Sequence, residues 1–477
     1  MKIIKNYIYN TLYQIMVIII PFITMPYLTR IFTPTQLGIN SYTLSIVNYF
    51  SLIGVLGMTM YGNREIAYVR DDKLKLKETF WNLFITKAFT CSLSIIIYYL
   101  FVYISDLQYK TIYLIQGIYL FGALLDISWF YTGVEDFRKV VLRDSATKIL
   151  GLICIFIFVR DSSDLNKYIL ILALSNFIGV IIMWMYIPKE FNKVHIDKKE
   201  IKRHIKPLIS LFIPQVAIQV YSLLSRTMIG MLSNNEQVAL YDYSQRIIQI
   251  VITVIGSMGV VIMPRIANIV TAGKDLEVKE IIKKSFNYIT YIAMPMCFGL
   301  MAVARTFVGW FFGNEFREVG LLISITAVII IAVSWANVIG VQYLIASNKE
   351  KKYTIAIVIS AFVNIIANFL FIGNLGALGA CIALILAEYT GTIIQILLVK
   401  NELPIWNMIY SVLKYLVVSI VMYVGVNFIN KFSINGFLIN IIQIIVGIIL
   451  YTGMLYLIKD KIQSEILDKL FKLIKKK

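Results

Sequence analysis

The sequence predicts an all-α polytopic membrane protein with about fourteen transmembrane helices. Of its 477 residues, 59% are hydrophobic and only 15% are charged, whereas soluble proteins carry about a quarter charged residues. Apolar runs of about 20 residues, the length of a helix that crosses a bilayer, recur from end to end. Together these observations indicate that most of the chain lies in lipid.

The predicted helices follow one another with short loops between them. No loop exceeds about 20 residues, much less than a soluble domain needs, so neither a nucleotide-binding domain nor a glycosyltransferase domain fits. The predicted spans are residues 9–31, 37–61, 79–104, 109–133, 142–160, 165–188, 207–233, 237–263, 284–311, 316–346, 353–373, 376–400, 409–430 and 434–458.

The net charge of +18 follows the predicted topology. Lysines and arginines concentrate in the loops after even-numbered spans, and the opposite loops hold few. This alternation is the positive-inside pattern, which predicts that the N-terminus, the basic loops and the C-terminal tail lie in the cytoplasm. The same charges predict contact with anionic membrane lipids, and no loop is large enough for a nucleic-acid-binding module.

The cysteines and histidines, the residue types that most often bind metals or carry redox chemistry, show no functional pattern in this sequence. All four cysteines fall inside predicted spans, far apart in the sequence, and are interpreted as small buried apolar residues. The two histidines, His195 and His204, share one loop without a partner ligand. We therefore expect no metal and no cofactor, apart from a coupling ion, H⁺ or Na⁺, and no catalytic residue.

A weak internal repeat relates the two halves. Gln36-Leu-Gly-Ile-Asn-Ser-Tyr42 aligns with Gln237-Val-Ala-Leu-Tyr-Asp-Tyr243. An even number of spans separates the copies, so the repeat is parallel, about an axis along the membrane normal; chance similarity of two apolar helices is the alternative. The predicted parts are an N-terminal lobe of six helices (1–188), a cytoplasmic linker (189–206), a C-terminal lobe of six helices (207–400), an extra helix pair (401–458) and a basic cytoplasmic tail (459–477).

A polar stripe on the seventh span is the first candidate site. Gln215, Gln219, Ser222 and Arg226 follow one face of a helix whose other faces are apolar. A guanidinium near the bilayer centre costs roughly 3 kcal/mol, so we expect this face to border a wet cavity that binds an anion. The alternative, hydrogen bonding between helices, accounts for Gln215 but not for Arg226.

The eighth span carries a second arginine at a similar predicted depth. Arg246 stands one turn after Asp242, close enough to pair with it, and Gln249 follows on the same stripe. Two interpretations stay open: Arg246 binds the same anion, or it only neutralises Asp242.

Other polar residues in the predicted spans are secondary candidates. Asn48 lies on a polar face of the second span, and Lys87 is a possible cavity cation or a snorkelling lysine. Asp126 and Glu388, with Asp242, could couple transport to an ion, or could be structural carboxylates bonded to neighbouring helices.

Several motifs, in order along both halves, resemble one family. They are Pro26-Tyr-Leu-Thr-Arg30-Ile-Phe, Gly57-Met-Thr-Met-Tyr-Gly-Asn-Arg64-Glu65-Ile-Ala67, Leu125-Asp126-Ile-Ser-Trp129-Phe-Tyr, Glu135-Asp-Phe-Arg138 and Phe212-Ile-Pro-Gln215. In these the chain is similar to the Wzx-like polysaccharide repeat-unit flippases. Those flippases belong to the multidrug/oligosaccharidyl-lipid/polysaccharide exporter superfamily.

The resemblance implies a fold and a function. It implies two MATE-like lobes in a V around a cationic cavity, to which Arg30 and Arg226 would contribute. It implies translocation of undecaprenyl-diphosphate-linked oligosaccharides from the inner to the outer leaflet of the cytoplasmic membrane, for capsule, O-antigen or exopolysaccharide assembly. Partners would be the polymerase and glycosyltransferases of that pathway. Ser225 stands where the family often has an acidic residue, which makes Asp242 a candidate substitute.

Two other functions stay open from the sequence. A multidrug or cation antiporter of the same superfamily would be expected to place carboxylates in its cavity, and the first span has none. A membrane-embedded polymerase or ligase would be expected to expose a large external loop, whereas every predicted external loop is short.

Overall fold

A computed structural model describes residues 2–187, 191, 198–431 and 436–474, and every regular element in these ranges is a helix. Helices α1 to α10 span Lys2–Ile31, Pro34–Val55, Met58–Val69, Lys73–Ile104, Lys110–Gln116, Ile118–Leu125, Ser128–Gly133, Phe137–Phe158, Leu165–Met185 and Lys198–Leu232. Helices α11 to α19 span Asn235–Thr271, Asp275–Phe311, Arg317–Thr326, Ile329–Ala336, Glu350–Leu375, Ala377–Val399, Ile405–Ile429, Gly436–Leu457 and Lys461–Ile474. A π-helical segment, Asn337–Ile345, continues α14.

The helices confirm the predicted fold class but not the predicted number of spans. Among the described residues, 10 helices are long and apolar enough to cross a membrane, or up to 11 with one bent pair, Asn314–Thr326 and Ile329–Ile345. The count of about fourteen is not confirmed. In the parts of α1 and α10 whose side chains the structure describes, the apolar stretches are shorter, Met16–Ile31 and Leu223–Leu232. Helix α8 begins with a charged half and is not among the 10.

The helix surfaces explain why the chain lies in a membrane. Large apolar side chains stand on the outside, among them Phe89, Phe362 and Phe369, which are 71%, 64% and 72% exposed. In water each would cost roughly 1.5–3 kcal/mol relative to burial, whereas lipid solvates them. The chain is therefore a multi-pass membrane protein.

The chain forms two compact units, Met1–Ala239 and Leu240–Lys477. The five-part division predicted from the sequence stays a prediction. Part of the core of the first unit is aromatic: Phe80 is fully buried, with its ring centroid 4.9 Å from Phe130 and 5.7 Å from Trp129. These contacts join α4 to α7.

The first residue of the repeat motif takes part in capping the start of α2. Thr33 caps the helix: the Gln36 amide donates to the Thr33 hydroxyl (3.3 Å), and the Thr33 amide donates to the Gln36 side chain (3.1 Å). In the second copy, the Gln237 amide donates to the Asn234 side chain (2.9 Å). Both motif glutamines therefore stand three residues after a helix cap.

A glycine of the first motif copy allows α2 to approach the start of α11 within the first unit. A Cβ atom on Gly38 would lie 1.6 Å from the backbone oxygen of Asn235. No other residue type fits this approach, so Gly38 of α2 fixes the distance to the start of α11.

The second unit is built around α12, which packs against α13, α14, α17 and α18. Its core holds Phe286, Ile289 and Cys297 of α12, all at most 1% exposed. One polar group buried in it bridges two helices: the Tyr451 hydroxyl of α18 donates to the Tyr291 backbone oxygen of α12 (2.7 Å). Because lipid offers no partner, such bonds fix the contacts between helices.

Candidate functional site

Arg226, the residue that leads the sequence prediction, lies in the apolar end of α10. It is half-buried, between Ser225 and Thr227, which are 1% and 7% exposed. Thr227 contacts α2, where its hydroxyl lies 2.9 Å from the hydroxyl of Ser45. This contact places the stretch of α2 that carries Asn48 beside the stretch of α10 that carries Arg226.

The approach of α10 to α2 depends on Gly230, which was not predicted as part of the site. A Cβ atom on Gly230 would lie 2.1 Å from the ring of Tyr42. Ser45, Tyr49 and Thr227 were not predicted as part of the site. A single sequence gives no indication that Gly230 packs against an aromatic ring on another helix.

Asp242 and Arg246 form the predicted i,i+4 pair on α11. One carboxylate oxygen of Asp242 accepts from Nε of Arg246 (3.0 Å) and lies 2.9 Å from its Nη2. The Asp242 side chain is 2% exposed, and the Arg246 side chain is 41% exposed. The guanidinium also lies 5.3 Å from the ring centroid of Tyr243. The pair neutralises a buried carboxylate and leaves part of the cation accessible.

Lys87 and Asp126 meet where the fourth predicted span is broken. The Lys87 ammonium, buried at 2% exposure, donates to the backbone oxygen of Asp126 at the end of α6. The Asp126 carboxylate accepts from the amide (3.0 Å) and the hydroxyl (2.7 Å) of Ser128, at the start of α7. Both charged groups therefore satisfy backbone groups at a helix break. Their predicted roles in the cavity and in ion coupling stay predictions.

The remaining predicted residues lie on α1, α10, α11 and α16. Arg30 is exposed, and its guanidinium donates to the backbone oxygen of Pro26 on its own helix (2.5 Å). Gln219 and Gln249 are exposed. Glu388 of α16 is half-buried, and its backbone oxygen accepts from Thr392 (2.9 Å). The side chains of Gln215 and Ser222 lie outside the described part of the structure.

The two arginines belong to different units, Arg226 to the first and Arg246 to the second. That they face one cavity stays a prediction. What each can do chemically follows from its environment, since a guanidinium always carries its charge and offers five donors suited to phosphate or carboxylate.

Comparisons with known proteins agree with the family resemblance. The family described as "Polysaccharide biosynthesis protein" matches residues 3–270. The chain is 22% identical over 402 residues to a protein of Escherichia coli (strain K12) named "Putative O-antigen transporter", covering 83% of this chain and 97% of that protein.

Two solved structures share the fold. One, titled "Lipid II flippase MurJ, inward closed conformation", has a TM-score of 0.78 at 16% identity and covers 98% of this chain and 99% of its own. The other is an inward-facing multidrug resistance MATE family transporter of the MOP superfamily. It has a TM-score of 0.62 at 14% identity, and the match covers 81% of this chain and 94% of the transporter. These likenesses confirm the MATE-like fold class.

The family match covers more than half of the chain, including residues 3–239 of the first unit. It also includes the stretches of α10 and α11 that carry Arg226 and Arg246. The resemblance predicted from the motifs is confirmed, and the chain belongs to the polysaccharide biosynthesis protein family.

Proposed function

We propose that this protein is a flippase that moves lipid-linked oligosaccharides across the bacterial cytoplasmic membrane. The carrier would be undecaprenyl diphosphate, and the repeat units would serve capsule, O-antigen or exopolysaccharide assembly. The relative from Escherichia coli carries the name of an O-antigen transporter, and the MurJ structure that of a flippase. Both names describe transporters rather than enzymes, in agreement with the sequence prediction.

The observation that carries the proposal is the half-buried guanidinium of Arg226 in an apolar stretch of α10. A permanent cation in such a stretch is suited to receive an anionic group that enters the membrane with its lipid. A lipid diphosphate supplies two phosphate groups at membrane depth while its tail stays in the bilayer. Charge-assisted bonds from arginine to phosphate are among the strongest that a protein makes. No bond is broken in the substrate.

The orientation belongs to the same proposal. The basic loops predicted on one side support an orientation with both termini in the cytoplasm, where the loops would contact anionic lipids. The substrate would enter from the side of the glycosyltransferases and leave toward the polymerase. A coupling ion would act through Asp242, Asp126 or Glu388.

The test is complementation in a strain that lacks this gene. We expect Arg226→Ala to fail to restore the surface polysaccharide at normal membrane levels. Losing charge-assisted hydrogen bonds worth about 1.5–3 kcal/mol lowers affinity roughly tenfold to a hundredfold. Arg160→Ala is the matched control, since Arg160 is an exposed arginine whose Nε donates to the Ile157 backbone oxygen.

Two results of this experiment would count against the proposal. One is full restoration of the polysaccharide by Arg226→Ala at equal membrane levels. The other is a deletion strain with normal polysaccharide but greater sensitivity to cationic drugs, which would favour a multidrug antiporter of the same superfamily.

A further inference from the structure

A pocket with a volume of 560 Å³ opens at the end of α12, far from Arg246 along the chain. It lies at the opposite end of this helix from Asp275, where α12 begins. Three elements build it: the last turns of α12, the first turns of α13 and the start of α18. The lining residues are Arg305, Thr306, Gly309, Trp310, Arg317, Leu321 and Gly436.

The charged residues that line this pocket are both cationic. Arg305 and Arg317 both line it and are both exposed, and no aspartate or glutamate is among the lining residues. The ion pairs in the described part of the second unit involve neither arginine. Two guanidiniums that share one pocket repel each other, and an anion bound between them removes this cost.

The wall of the pocket is held in place by buried polar groups. The indole Nε1 of Trp310 donates to the side-chain oxygen of Asn440 (2.7 Å), and the Asn440 amide nitrogen donates to the Thr306 hydroxyl (2.7 Å). Asn440 is 5% exposed and also donates to Gln443, which is 1% exposed. Such a connected network fixes its members, so the pocket exists before a ligand arrives.

The pocket also has room beside α12. A Cβ atom on Gly309 would meet no described atom within 4 Å. Gly309 therefore faces open space, and the two arginines that share its pocket can approach a ligand there. A larger side chain at this position would fill the pocket without changing its charge.

We propose that this pocket binds the phosphate group of a lipid in the outer leaflet. Arginine forks match phosphate oxygens, and tryptophan is enriched where membrane and water meet. The lipid could be the transported substrate on arrival or a neighbouring phospholipid, because the recognised chemistry, a phosphate on a hydrocarbon tail, is the same. The choice of leaflet rests on the orientation given under the proposed function; the phosphate chemistry does not.

The test measures binding to the full-length protein in a neutral detergent. The probes are dioleoyl phosphatidic acid, inorganic pyrophosphate and, as a lipid without phosphate, dioleoylglycerol. Native mass spectrometry gives the lipid retained, and calorimetry gives the affinity for pyrophosphate. The variants are Arg305→Gln with Arg317→Gln, the pocket-filling Gly309→Leu, and the control Arg160→Gln.

We expect the wild type to bind phosphatidic acid, and both pocket variants to bind it at least about tenfold more weakly, the loss of one strong charge-assisted contact. Gly309→Leu replaces glycine by a better helix former, so its loss of binding would not come from unfolding. Pyrophosphate binding that depends on the same arginines would show that phosphate alone suffices; its absence would show that the lipid is required.

Three results would overturn this inference. They are no binding of either phosphate probe by the wild type, unchanged binding by both pocket variants, and an equal loss in Arg160→Gln. The second and third results do not bear on Arg226 and leave the flippase proposal standing. The first would count against both, and complementation by Arg226→Ala then decides the flippase proposal separately.

Discussion

At the scale of single residues, the charges inside the predicted spans are tied to particular partners. The Asp242 carboxylate is nearly inaccessible, and a buried charge is tolerated only when it is paired. Arg246 supplies the pairing through two nitrogens on one carboxylate oxygen. Its remaining exposure, 41% of the side chain, is the surface that a substrate phosphate could contact.

Whether Arg246 binds substrate can be separated from its pairing with Asp242. We expect Arg246→Gln to reduce transport and to destabilise the protein by about 1–3 kcal/mol, since it leaves a buried carboxylate without its cation. Adding Asp242→Asn should recover stability but not transport. Thermal unfolding in detergent and complementation measure the two effects. Full transport by the double variant would mean that the pair is only structural.

At the scale of helices, the fourth predicted span shows what a single sequence leaves open. Residues 109–133 read as one apolar run. Lys110–Gly133 is indeed one of the membrane-length stretches of the structure, but it is divided into α5, α6 and α7. The break is stabilised from other helices: the Trp184 indole of α9 donates to the Leu125 backbone oxygen (2.7 Å), and Lys87 of α4 donates to that of Asp126. Apolar periodicity predicts a helix, but partners distant in sequence decide where it is interrupted.

The loop between α16 and α17 is also held by side chains that are distant in the sequence, and the pH dependence of stability can test this contact. Glu402 accepts from Lys352 (2.6 Å), Lys349 (2.9 Å) and Tyr343 (2.9 Å), which joins this loop to the start of α15. Burial by itself would raise the pKa of Glu402. The hydrogen bonds from Lys352, Lys349 and Tyr343 outweigh it and lower the pKa from 4.5 to about 2.

The sign of the pH effect follows from this depressed pKa. Ionised Glu402 stabilises the folded state above pH 4.5, and this contribution is lost as the pH falls toward about 2. We expect Glu402→Gln to lower the stability at neutral pH by about 1 kcal/mol and to match the wild type at the acid end. Thermal unfolding of both proteins across this range measures the difference. A difference independent of pH would contradict the assigned partners.

At the scale of the whole molecule, composition and hydropathy were enough to predict a helical membrane protein. The exposed apolar side chains and the 10 or 11 membrane-length helices in the described part of the chain confirm it. The exact number of spans was less predictable, because helices such as α8 combine a charged half with an apolar half. The motifs identified the family. The contact of Ser45 with Thr227 could not be predicted, because a single sequence does not show which faces of two distant helices meet.

The central claim is that this protein carries lipid-linked oligosaccharides across a membrane, and reconstitution tests it most directly. Purified protein is placed in liposomes with a fluorescent lipid-diphosphate-linked oligosaccharide, and a glycosidase added outside reports how much has crossed. We predict that wild-type vesicles expose the inner pool faster than protein-free vesicles, and that Arg226→Ala vesicles do not. Wild-type vesicles no faster than protein-free ones, or Arg226→Ala as fast as wild type, would contradict the account.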